Sequence, residues 1–258
     1  IIFHLAAESH VDNSIMKPSI FMNTNIIGTY NLLNETQFFL NKLKSSNKKK
    51  FKFIHISTDE VYGDLEYKSK PSNESSPYAP SSPYSASKAS SDHLVKAWIR
   101  TYNFPGIVTN CSNNYGPYQN KEKLIPMVIS KLLKKQKIPI YGNGKQIRDW
   151  IYVDDHVRAL YLISKRGKLG ESYNIGGDNQ TKNIDIVKKI YEEISKLNKK
   201  IKVNNYKSLI TFVKDRAGHD YRYDIDCSKL KKNLRWSQKE TLNSGILKTI
   251  NWYLKINP

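Results

Sequence analysis

"FIHISTDEVYG", residues 53–63, runs from an apolar segment into two hydroxyls and two adjacent acids. Phe53, Ile54 and Ile56 are aromatic or β-branched and favour a strand. Ser57, Thr58, Asp59 and Glu60 follow. In a continuing strand the side chains of 59 and 60 would point to opposite faces. Both acids can face one ligand only if the strand ends at Thr58. The alternative use of the pair is a helix N-terminus, with Asp59 as cap and Glu60 in the first turn.

Outward from this stretch the chain alternates. "IIFHLAA" (1–7) reads as a strand, and residues 19–43 as a helix with Met22, Ile26 and Leu33 on one side. Residues 64–82 are a Ser- and Pro-rich loop. A helix over 83–103 can be capped by Ser82 and opened by Pro83. "GIVTNCS" (106–112) is a strand, and a helix follows over about 123–136. Such alternation predicts an α/β fold with a doubly wound, Rossmann-like parallel sheet covered by helices. Beyond residue 137 the elements are shorter and mixed. "PIYG", "DWIYV" and "SYNIGG" are strands, and residues 154–165 form a helix opened by an Asp. Residues 183–198 form a helix with Val187, Ile190, Ile194 and Leu197 in register, and two more helices fall near 226–234 and 241–255. "NKKK" (47–50) reads as a solvated loop.

The 258 residues suffice for one large domain or two small ones, and 39% hydrophobic with 25% charged residues is a globular composition. No window approaches the 18 apolar residues of a spanning helix. Two cysteines cannot build a disulfide framework, which places the chain by default in a reducing cytoplasm. The net charge of +19 comes from lysines spread along putative helix faces rather than from a cluster. It is read as compositional, with no nucleic-acid footprint, though it would favour an anionic ligand. Six His and two Cys show no metal-ligand spacing, so no metal is expected.

Tyr84 and Lys88, in "SPYSASK", share a helix face at i and i+4. A nearby ammonium lowers a phenol's pKa toward the range of a useful base. With 17 Tyr in a Lys-rich chain, roughly two such spacings arise by chance. Tyr141–Lys145 and Tyr161–Lys165 share it. Tyr84 stands apart because it opens a helix among small residues downstream of the acidic strand end.

In order, "HLAAESHVD", "STDEVYG", "SPYSASKASSDHL", "NCSNNYGPYQ", "EKLIP", "PIYGNGKQIRDWIYVDD", "YNIGG" and "DRAGHDYRYDID" resemble nucleotide-sugar 4,6-dehydratases, among them those acting on dTDP-glucose. These belong to the extended short-chain dehydrogenase/reductase superfamily. The resemblance implies NAD as cofactor, a nucleotide-sugar substrate, no membrane partner and a homodimer through the 19–43 and 83–103 helices. It also implies a dinucleotide-binding domain over 1–115. Residues 116–258 would mainly bind the sugar nucleotide, with some segments returning to the first domain. By the same resemblance Thr58 bonds O4, Tyr84 takes the C4 proton with Lys88 beside it, Glu60 is the C5 base and Asp59 the O6 acid. Two close carboxylates push their proton affinities apart, which makes one acid and one base available.

The binding residues implied are Leu5, Ala6, Ala7, Glu8, Ser9, Thr24, Tyr84, Lys88 and Asn114 for the cofactor. For the substrate they are Ser9, Thr58, Asn113, Lys123, Leu124, Pro139, Ile140, Tyr141, Arg148, Asn183, Asp215, Arg216, Ala217, Gly218 and His219. Each has a plainer use: packing for the alanines, turn formation for Asn113 and Asn114, a helix cap for Asn183. Arg148 is the most telling, because a guanidinium fork suits a diphosphate. His4 reads as a strand residue. Ala217 departs from the family, where Pro is usual. The glycine-rich phosphate loop that opens such a sheet does not occur, and "YGNGK" (141–145) is no substitute. The expectation is that roughly two βα units, about 60–80 residues, precede Ile1. A UDP-sugar dehydratase, a 4-epimerase or a catalytically silent binding protein are the competing readings. An epimerase needs Tyr and Lys but no acid and base after Thr58.

Overall fold

The structure, a computed structural model, describes residues 1–197 and 206–256. The opening stretch forms the strand β2 (Phe53–Thr58), buried on both faces, and it is the second of four parallel strands. The sheet order is β1 (Ile2–His4), β2, β3 (Gly106–Cys111) and β8 (Ser172–Ile175). Thr58 pairs with Cys111, so these two strands end level.

Strand alternation decides what covers each face. Phe53 packs with Leu33, Leu40, Val95 and Phe104 under one helical layer. Ile54 and Ile107 pack with Leu160, Ile163, Leu230 and Trp236 on the other side. The first layer comprises α1 (Val11–Met16), α2 (Pro18–Phe21), a π-helical segment (Met22–Ile27), α3 (Gly28–Lys42) and α5 (Pro83–Tyr102). A single turn, α4 (Ser45–Lys48), lies between α3 and β2. The opposite layer is α7 (Val153–Arg166) and α9 (Ser228–Leu234).

The remaining elements build a second core. They are β4 (Asn113–Tyr115), α6 (Leu124–Leu133), β5 (Ile138–Tyr141), β6 (Ile147–Arg148), β7 (Trp150–Tyr152) and β9 (Thr181–Lys182). After them come α8 (Asn183–Leu197), β10 (Ile210–Val213) and α10 (Leu242–Ile256). Ile125, Ile129, Leu132, Ile186, Ile190 and Ile246 meet there with no exposed surface. Three two-stranded pairings, β5 with β10, β4 with β7 and β6 with β9, frame this part. Among the described residues no helix is long and apolar enough to cross a membrane, and no His, Cys, Asp and Glu cluster could hold a metal.

Several expectations are corrected. The first strand stops at His4, and residues 5–10 are irregular. The long helix buries Phe21, Asn25, Thr29, Leu33, Thr36 and Leu40, while Met22 and Ile26 are only half-buried. The π-helical segment inserts extra backbone and rotates the buried face. A helix at Val11–Met16 and the short strands β4, β6, β9 and β10 were not legible. "NKKK" partly enters the turn α4. The α7 helix starts at Val153, and Asp154 and Asp155 lie in its first turn instead of capping it. Leu197 is exposed, and residue 198 lies outside the described residues. The capping of α5 agrees: Ser82 accepts from the Ser85 N–H at 3.1 Å, and the Ser85 hydroxyl accepts from the Ser82 N–H at 3.0 Å.

Candidate active site

At the end of β2 the Thr58 hydroxyl accepts a hydrogen bond from the Glu60 N–H at 3.3 Å and caps a 3₁₀ turn, Asp59–Tyr62. The cap is therefore Thr58, not Asp59. The turn abolishes strand alternation, and Thr58, Asp59 and Glu60 all line one cleft. Tyr84 and Lys88, from the first turns of α5, line it too. The cleft encloses about 410 Å³, within the size range of small-molecule sites.

The two acids differ in their surroundings. Asp59 is 2% exposed. Its Oδ1 accepts from the Thr58 hydroxyl at 3.2 Å, and its Oδ2 has no partner. Burial, the Glu60 carboxylate and Asp149 hold its carboxyl well above the ordinary range. Burial also raises Glu60, which is half-buried, but Arg216, Arg148 and Lys123 oppose this. Asp59 is thus the acid that keeps its proton, while Glu60 faces three cations. Tyr223 donates to Asp220 and lies 3.5 Å from Glu60 Oε2.

Tyr84 is buried, edge-on to Phe21 at 6.3 Å. Burial and the Glu60 charge raise its phenol, and the Thr58 hydroxyl acts the other way. The expected lowering by Lys88 does not occur. Lys88 Nζ donates to the Ile56 carbonyl at 2.8 Å, and its own burial lowers its proton affinity. Behind the sheet His55 Nε2 lies 3.1 Å from Asp92. His4 bonds Thr29 at 2.9 Å inside the fold, away from the cleft.

Of the cofactor-edge residues, Leu5, Ala7, Ser9 and Asn114 line the cleft. Ala6, Glu8 and Thr24 do not. Glu8 is held through its backbone by the Asn25 amide, and Thr24 sits half-buried in the π-helical segment. Several residues at the cleft carried no expectation as site residues, among them Cys111 and His156. Burial pushes the Cys111 thiol up to about 12. His156 could have been noticed as a polar residue on the apolar side of an amphipathic helix, in register with Leu160 and Ile163.

A neighbouring pocket shares Glu60, Asn113 and Lys123 with the cleft. It adds Leu124, Pro139, Ile140, Tyr141, Arg148, Asn183, Arg216 and His219. Asp215, Ala217 and Gly218 do not line it. Asp215 stands behind, holding His219 Nδ1 and the Gln146 amide at 3.0 Å. Gly218 has φ +62°, and a Cβ there would come within 2.6 Å of the Ser81 carbonyl. Arg148 is 4% exposed. Its guanidinium donates to the carbonyls of Ile147, Asp220 and Tyr221 at 2.8, 2.8 and 3.3 Å and lies over the Tyr223 ring. Arg216 is 3.6 Å from Asp12, which also accepts from the Tyr141 hydroxyl at 3.0 Å. The Lys123 ammonium reaches the Ser9 carbonyl at 2.6 Å and ties this pocket to the cofactor edge.

A family model described as GDP-mannose 4,6 dehydratase matches residues 1–249. A dTDP-glucose 4,6-dehydratase of Shigella flexneri is 56% identical over 261 residues, covering 98% of this chain and 72% of the relative. One of Neisseria meningitidis serogroup B is 54% identical over 255 residues, with the same shares. Among solved structures, a dTDP-glucose 4,6-dehydratase of Streptomyces venezuelae with NAD bound superposes with a TM-score of 0.88 at 38% identity. The match covers 98% of this chain and 73% of that one. A UDP-glucose 4-epimerase of Thermotoga maritima gives a TM-score of 0.85 at 29% identity, covering 99% and 77%.

Proposed function

The chain belongs to the GDP-mannose 4,6 dehydratase family, alongside the dTDP-glucose 4,6-dehydratases it matches, and from that premise we propose that it converts dTDP-glucose to the 4-keto-6-deoxy sugar nucleotide. The observation that carries the chemistry is the shared cleft of Thr58, Asp59, Glu60, Tyr84 and Lys88. A C5 proton is too weakly acidic to remove until C4 is a ketone, and the ketone then permits loss of O6 by β-elimination. The net reaction removes one water between C5 and C6.

The cleft suits a nicotinamide ring. Leu5, Ile56 and Leu160 provide an apolar wall, and His156 Nε2 and Asn113 Oδ1 are buried acceptors without partners in the protein. Bound NAD supplies the acceptor, and later the donor, of a hydride. Tyr84 receives the C4 hydroxyl proton as its phenolate, a form that burial opposes and the positive charge of a bound oxidised nicotinamide would favour, with Thr58 bonding O4. Lys88, held by the Ile56 carbonyl, lines the same cleft and would bond the nicotinamide ribose. Glu60 removes the C5 proton, and Asp59, kept neutral by burial, protonates the departing O6. A proton then returns to C5. Arg148, Arg216 and Lys123 give the adjoining pocket the positive charge a diphosphate requires.

We assign the working unit as a homodimer. Ile20, Ile27, Tyr30 and Phe38 leave an apolar stripe on the long helix 44, 51, 43 and 58% exposed, and Tyr102 of α5 is 53% exposed. The substrate chemistry and the two free cysteines suit the cytoplasm.

Glu60→Gln tests the assignment. The variant should oxidise C4 and accumulate the reduced-nicotinamide absorbance, yet fail to exchange the C5 proton with deuterated water. Exchange at the wild-type rate would exclude Glu60 as the base.

A further inference from the structure

His156 has a job that the reaction above leaves unassigned. The α7 helix begins directly after β7 and turns Asp155, His156, Ala159, Leu160 and Ile163 inward. The His156 ring is 6% exposed, and its Nδ1 lies 2.8 Å from Asn114 Oδ1. The Asn114 amide nitrogen is committed elsewhere, to the Ser112 carbonyl at 3.0 Å and to Cys111 sulfur at 3.4 Å. The oxygen facing the ring is therefore an acceptor, and His156 Nδ1 must carry the hydrogen. That leaves a lone pair on Nε2. Burial lowers the ring's pKa to about 4, so at neutral pH Nε2 can only accept. It has no partner in the protein, although the residue lines the same cleft as Tyr84 and Lys88. A buried acceptor without a donor is costly, so this one is matched to a donor that arrives from outside.

The cleft that His156 lines also offers an apolar wall, Leu5, Ile56, Val153 and Leu160, against which a flat ring carrying the donor can lie. We infer that His156 is a cofactor-binding residue whose Nε2 accepts a hydrogen bond from the carboxamide N–H of the nicotinamide, with Asn114 fixing its tautomer. This rests on the reading of the cleft as the nicotinamide site. A hexose hydroxyl is the other available donor, but the apolar wall fits a flat ring better than a sugar.

The test compares binding of NAD and of 3-acetylpyridine adenine dinucleotide, in which a methyl group replaces the amide nitrogen. Affinities for the natural protein, His156→Phe and His156→Gln are measured by calorimetry without substrate. The wild type should prefer NAD roughly 3- to 10-fold, the worth of one net hydrogen bond. His156→Phe should bind the two nucleotides alike. His156→Gln should recover part of the preference, because its amide nitrogen can serve Asn114 while its oxygen accepts. A wild type without preference overturns the inference even if the Phe variant fails to fold. So does a Phe variant that keeps the preference. Loss of dTDP-glucose affinity in the Phe variant with an intact nucleotide preference would assign Nε2 to a sugar hydroxyl and overturn the carboxamide contact. A wild type that binds neither nucleotide would remove the nicotinamide reading itself.

Discussion

Asp59 is held protonated by burial, and burial makes it a liability to the fold. Its carboxyl keeps a proton in the folded protein at pH values where the unfolded chain, near its ordinary value of 3.8, has released it. The raised group is neutral to stability below that value, and its cost grows as pH rises toward the folded value. Asp59→Asn removes the cost. The variant should therefore be more stable than the wild type, with a gap that widens as pH rises above the ordinary value of 3.8 toward the raised value of the folded carboxyl. Each tenfold displacement of the proton equilibrium is worth about 1.4 kcal/mol. Turnover should fall about 10²- to 10⁴-fold, the usual contribution of a general acid. Urea midpoints measured across a pH series above 3.8 decide the first half, and an unchanged gap would refute it. At this scale the sequence spoke clearly through Thr58, Asp59 and Glu60, because adjacency alone implies a strand that must end. It misjudged Tyr84's proton affinity, which Lys88 was expected to lower and burial raises, and it was silent on His156. Both depend on burial and on partners, Asn114 being 42 residues from His156.

Helix α5 holds Tyr84 at its second position, directly inside the Ser82–Ser85 capping box. Ser82→Ala should cost about 1 kcal/mol of stability by loss of that cap, measured by denaturant unfolding. Turnover should fall too, since the cap fixes the turn that aims the phenol. Gly63 ends the acid-bearing turn with φ +79°, where an added Cβ would stand 2.1 Å from the Ala79 carbonyl. Such a site excludes every other residue. The long helix separates two kinds of legibility. Its extent follows from periodicity, but its buried side does not, because the Met22–Ile27 segment breaks the 3.6 repeat on which that side was assigned. Leu33→Ala should therefore cost about 2–5 kcal/mol, while Ile27→Ala, measured on the monomer, should stay within about 0.5 kcal/mol. Comparable losses at both positions would contradict the observed face.

For the molecule as a whole, the exposed stripe of Ile20, Ile27, Tyr30 and Phe38 makes self-association the expected state. Tyr30→Lys combined with Phe38→Lys should halve the mass seen by light scattering without unfolding the chain. A monomeric wild type would rule out the dimer. The +19 charge makes a separate claim. If it is compositional, duplex DNA should bind only at about 10⁻⁴–10⁻⁶ M at physiological salt, without sequence preference. Alternation was enough to read the parallel sheet, since each strand and helix announces itself locally. It could not reveal that the partner of β3 is the Ser172–Ile175 strand, because such pairing is chosen by the packed molecule and not by neighbouring residues.

That distant pairing also sets a timetable. A ribosome releases the two acids and Tyr84 long before Arg148, Arg216 and His219, and before the strand that closes the sheet beside β3. Domains condense during synthesis as their contacts become available, and non-local pairings wait longest. The chemistry-bearing half is thus made first and the charged half that flanks it last. A nascent chain would expose the two acids and Tyr84 before it had made Arg148, Arg216 and His219, the side chains that flank them.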